Sequence, residues 1–92
     1  MANHPSSLKR MRSSEKRRQR NRIVRGRART AIKKTRINVA EQNWEDAELA
    51  LQTAISALDK AAQKGVIHKN NAARRKSRLV RHYNQAKAAA AQ

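Results

Sequence analysis

Apolar residues in this chain change their spacing at residue 24. From there, Val24, Ala28, Ala31, Ile32, Thr35 and Val39 recur at intervals of three and four, a stripe along one face of a helix. Upstream, no apolar residue stands between Met11 and Ile23, so that stretch has no face to bury. Pro5 disfavours helix before itself, and Ser6 or Ser7 can cap, so a first helix is expected over residues 8–41 after a tail of residues 1–7. At 1.5 Å per residue it is about 50 Å long. Gly26 interrupts it at a cost of up to about 1 kcal/mol relative to Ala. It reads either as a tolerated surface glycine or as a point of close backbone approach or slight bend.

The second helix is expected over residues 44–64. Trp44, Ala47, Leu51, Ala54, Leu58 and Ala61 alternate by three and four, and Ile55 and Ala62 widen the stripe. Asn43 is a suitable N-cap, and Glu45, Asp46 and Glu48 complement the helix dipole. Lys60 and Lys64 stand in the last turns, Gly65 fits a left-handed stop, and Val66 follows as its apolar contact. A third helix over residues 68–87 presents Ala72, Lys76, Leu79, Val80, Tyr83 and Ala86 on one face, with residues 88–92 as a frayed tail. Two helices of about 20 residues cover only half of the first. The expected architecture is therefore all-α, a three-helix bundle in one domain, with a long basic first helix projecting beyond the core.

Composition supports thin, closely packed helices. The chain has 92 residues, no Cys, one Trp, one Tyr and no Phe. Ala is the best helix former and a poor strand former. With no Cys, no disulfide framework is available and a reducing compartment fits. No apolar run approaches a membrane span, and no apolar segment follows the basic N-terminus as in a secretory signal. A cytoplasmic protein is expected.

Charge changes the picture most. The net charge is +17, with 23 Lys and Arg against 6 Asp and Glu. Residues 1–40 hold fourteen bases and one acid, residues 41–65 two bases and five acids, and residues 66–92 seven bases and no acid. Self-repulsion at this density opposes compaction, and a polyanion relieves it through counterion release. The expected contacts on the first helix are Lys9, Arg10, Arg12, Lys16, Arg17, Arg18, Arg20 and Arg22, then Arg25, Arg27, Arg29, Lys33 and Lys34. Bases on most of its circumference suit a helix surrounded by phosphates. Duplex DNA touches one face of a helix, whereas folded RNA with converging strands touches several. Arg suits this role because its planar fork bridges two phosphate oxygens and stacks on bases. Bases at i, i+3 and i+4, such as Lys9, Arg12, Lys16 and Arg20, destabilise the free helix.

A second expected cluster is Arg74, Arg75, Arg78 and Arg81, with Lys76 packed by its stem near the apolar stripe. His68, Lys69 and Asn70 form a polar group at a helix start, where free backbone N–H groups attract phosphate. The acids of the second helix either pair with the basic helices or face solvent. Trp44 reads as core, and Tyr83 as a packed ring with a hydroxyl free to reach RNA. His68 lacks partners at metal spacing, Asp59 has no evident partner, and no phosphate loop or nucleophile pattern occurs. Neither an enzyme, a cofactor, a metal nor a small-molecule substrate is expected. A membrane-active helix needs a large apolar face opposite its charge, and residues 12–22 have none.

The stretch KGVIHKNNAARRKSRL, residues 64–79, resembles the start of the third helix in the bacterial small-subunit ribosomal protein twenty family. The opening MANHPSSLKRMRSSEKRRQRNR and the pattern of the second helix are similar to the same family, so the resemblance spans nearly the whole chain. It implies a three-helix bundle that binds small-subunit ribosomal RNA directly. The place it implies is near the bottom of the subunit, among helices of the 5′ domain and the long 3′ minor-domain helix, with few or no protein contacts. It also implies a part in assembly, with contacts from the basic first helix and from His68 to Arg75. The alternative from charge alone is a general nucleic-acid-binding or compacting protein.

Overall fold

A computed structural model describes residues 5–91, and the side chains of residues 6–91. Three helices follow in order: α1 (Pro5–Ala40), α2 (Trp44–Gln63) and α3 (Lys69–Ala91). The helix starts earlier than expected. Residues 5–7, assigned above to a tail, are helical, and Pro5 takes the first helical position, where its restricted φ is already suitable and its missing N–H costs nothing. Residues 1–4 of that tail lie outside the described residues. At the other end, Ala88–Ala91 of the expected tail are helical and continue α3, as a run of the best helix formers permits, and Gln92 lies outside the described residues.

Each stripe meets the others in three layers. Ala28, Leu58 and Ala72 pack at the centre, one from each helix. Toward one end Val24, Ala61 and Val66 close the core. Toward the other, Ala31, Val39, Ala47, Leu51, Ala54, Leu79 and Tyr83 cluster, flanked by Ile32 and Trp44. Small alanines on both α1 and α2 let these two helices pack closely. Thr35 is fully buried, and its hydroxyl donates to the Ala31 carbonyl at 2.9 Å, satisfying it within the helix. Trp44 meets Tyr83 edge to face at 6.1 Å, fixing the end of α3 against the start of α2.

Both turns use the same hydrogen-bond pattern with different residues. After α2, Gly65 is left-handed (φ 75°), its N–H donates to Ala62 and that of Val66 to Ala61. After α1, Gln42 is left-handed (φ 61°), its N–H donates to Val39 and that of Asn43 to Asn38. Both are Schellman stops. Asn43 holds the N-cap position of α2, but its side chain makes no capping bond and donates instead to Glu41 at 3.2 Å. The expectation that it caps with its side chain is thus corrected.

The shape is extended. The molecule measures 70 × 22 × 15 Å, and its radius of gyration is 18.1 Å, against about 12 Å for a compact chain of this length. Its accessible surface is 7487 Å², against about 5,400 Å² for a compact protein of this mass. The excess arises largely because α1 enters the core only at Val24. No residue from Ser6 to Ile23 is buried. Helix α1 continues unbroken through Gly26, where an added Cβ would meet nothing within 4 Å.

Candidate nucleic-acid interface

Every one of the basic and polar residues expected to contact RNA is exposed. They fall into three settings. Lys9, Arg10, Arg12, Lys16, Arg17, Arg18, Arg20 and Arg22 stand on the projecting part of α1, where the only acid is Glu15. Glu15 accepts a long 3.5 Å bond from Gln19. Leu8, Met11 and Ile23 are the large apolar side chains of this part, and all three are exposed. With no core beneath it, the projecting segment presents charge around its whole circumference.

Arg27, Arg29, Lys33 and Lys34 lie on the outer faces of the packed part of α1. Arg25 differs. Its guanidinium donates to the Val66 carbonyl at 3.4 Å, tying α1 to the α2–α3 connection and leaving most of its donors outward.

The third setting is the start of α3. His68 is its N-cap: its carbonyl accepts from Ala72 at 3.0 Å, and its Nδ1 accepts from the Asn70 N–H at 3.1 Å. That acceptor role puts the ring proton on Nε2, which leaves an outward donor beside Lys69. Arg75 is oriented by Asn71, whose amide oxygen accepts from Nε at 2.7 Å. Its two terminal nitrogens stay available, as do Arg74, Arg78 and Arg81.

One acid of α2, Asp59, bridges to α3, while Glu45, Asp46 and Glu48 face solvent. Among the described residues, one ion pair occurs, Lys76 to Asp59 at 2.6 Å, with both side chains partly exposed. Asp59 therefore has a partner after all, seventeen residues away in sequence. The Tyr83 ring is packed, at 7 % exposure, and Lys87 lies 5.7 Å from its ring centre. Lys60 and Lys64, read above only as dipole partners, are exposed on a groove shared with α1. Their α-helical spacing on the same flank was the available signal.

Among the described residues, no helix is long and apolar enough to cross a membrane. No group of three or more His, Cys, Asp or Glu gathers there as metal ligands.

The family model for ribosomal protein S20 matches residues 2–84. The chain belongs to the ribosomal protein S20 family. Small ribosomal subunit protein bS20 of Thermomicrobium roseum is 52% identical over 84 residues, which cover 91% of this chain and 85% of that protein. The bS20 protein of Nitratidesulfovibrio vulgaris is 52% identical over 85 residues, 92% of this chain and 98% of its own length. That of Oleidesulfovibrio alaskensis is 53% identical over 79 residues, 86% and 91% respectively.

Proposed function

We propose that this S20-family chain is a structural constituent of the small ribosomal subunit in the cytoplasm, and that it binds the subunit's RNA directly. The projecting part of α1 carries the reading: eight exposed bases, one acid and no buried residue between Ser6 and Ile23. Such a segment buries no residue against its own protein and gains counterion-release energy from phosphates on several sides. The α3 start adds a second contact, with His68, Lys69, Asn70, Arg74 and Arg75 at one helix end and Arg78 and Arg81 beyond. The two surfaces lie on different helices, so one molecule joins separate RNA segments and supports their packing during assembly. Protein contacts within the subunit are few, because bases outnumber acids 23 to 6 and cover the outer faces of α1 and α3. The task is binding rather than catalysis.

A salt series tests this. A folded 5′-domain fragment of small-subunit ribosomal RNA, an unrelated folded RNA and duplex DNA are each titrated by fluorescence. The ribosomal fragment should remain bound at salt concentrations that release the other two. If all three dissociate together, the chain is a general polyanion binder.

A further inference from the structure

Helix α1 and helix α2 leave an open groove of about 800 Å³ on the face away from α3's packing. Arg27 and Lys34 stand on its α1 wall, and Lys60 and Lys64 on its α2 wall. No carboxylate lines it. Asp59, the acid next to Lys60, is turned to Lys76 on α3. The groove begins at Ile23 and Val24, where the projecting part of α1 enters the core. It therefore continues the basic surface already described.

Gly26 lies on its floor. A glycine inside a helix is unfavourable, and here no protein neighbour requires it, since a Cβ would meet nothing within 4 Å. The bare backbone there is therefore open to close approach from outside the chain. We propose that the groove seats one sugar–phosphate strand of RNA, with phosphates between the two basic walls and closest approach at Gly26.

The floor suits such a strand. Ala57, half-buried, offers a small apolar surface to ribose carbons. The Thr53 hydroxyl already donates to the Leu49 carbonyl at 3.0 Å, so its remaining lone pair can accept from a ribose 2′-hydroxyl in the groove. The inference rests on the RNA-binding reading above.

Three variants are compared on the folded 5′-domain RNA, with circular dichroism melts to confirm folding. K60Q/K64Q removes the α2 wall's charge. The slope of log K against log salt should fall in magnitude by about 1.4–1.8, with about tenfold weaker binding at 0.15 M salt. G26L fills the groove without changing charge; it should melt higher than the parent yet bind several-fold more weakly. R17A/R18A/R20A reports on the projecting helix alone. If both groove variants bind like the parent while R17A/R18A/R20A weakens, the RNA reading stands and the groove is left to protein or solvent, which overturns the proposal. It is equally overturned if only one groove variant weakens binding, because charge and close approach are both required. If none of the three weakens binding, the proposal falls together with the reading beneath it.

Discussion

The two halves of α1 carry nearly the same charge and lead opposite lives. Residues 6–23 hold eight bases and one acid; residues 24–40 hold six bases and no acid. Val24, Ala28, Ala31, Thr35 and Val39 are buried in the second half, and nothing is buried in the first. Charge density therefore does not decide which half joins the core. Five small or branched residues at helical spacing do, and four of them, Val24, Ala28, Ala31 and Val39, cluster with residues of the rest of the bundle. The basic residues ride on the outside in both halves. The lesson is that one continuous helix divides its work by the phase of its apolar positions: the packed half anchors, and the projecting half is left for a partner.

The largest effect on this division should come from Leu58, which is 1 % exposed and packs with Ala28 and Ala72 from the other two helices. Leu58→Ala should cost about 2–5 kcal/mol and lower the thermal midpoint by at least about 10 °C. Helicity should be lost from the packed half of α1 along with α2 and α3 in a single calorimetric transition. Retention of the packed half after α2 melts would mean that it does not depend on the bundle.

The complementary change acts on the projecting half. R17A/R18A/R20A should alter stability by less than about 1 kcal/mol, because none of the three side chains is buried. In RNA titrations the salt slope should nevertheless fall in magnitude by about 2–3. Unfolding of the bundle by these substitutions would remove the distinction between the halves.

Smaller effects should come from the two helix stops, which share a geometry but not a residue. Gly65→Ala places a Cβ at φ 75° and should destabilise the protein by about 1 kcal/mol or more in urea titration. Gln42→Gly relieves the same strain at φ 61° and should stabilise by about 0.5–1 kcal/mol. Opposite signs at matched positions sharpen the argument that α1 ends by hydrogen bonding rather than by residue preference. The smallest effect is expected at Asp59→Asn, where loss of the exposed pair with Lys76 should change stability by less than about 1 kcal/mol.

The apolar stripes of all three helices were legible in the sequence, and so was the stop at Gly65, because helical spacing and glycine each carry their own local reason. Gln42 gave no such signal: its side chain disfavours the left-handed conformation, and the two hydrogen bonds of the stop impose it. Asn43 has the right chemistry for a cap, but Glu41 lies close enough to take its amide. The Asp59–Lys76 pair joins residues on neighbouring helices and exists only once α2 and α3 pack. For the interface, the identity of the exposed bases was readable from charge and phase alone. Their local partners were not: His68 serves the α3 backbone, Arg25 the Val66 carbonyl and Arg75 the Asn71 amide. The groove walls formed by Lys60 and Lys64 also required the tertiary structure, since nothing in sequence places them opposite Arg27 and Lys34.

Amide hydrogen exchange along α1, in the free protein and with the 5′-domain RNA, tests the central claim most directly. In the free protein, residues 24–40 should be protected to the level of α2, while residues 6–23 exchange close to the rate of an isolated helix. Addition of RNA should protect residues 6–23 strongly and change residues 24–40 little. Equal protection of both halves in the free protein, or no gain upstream of Val24 on binding, would contradict it.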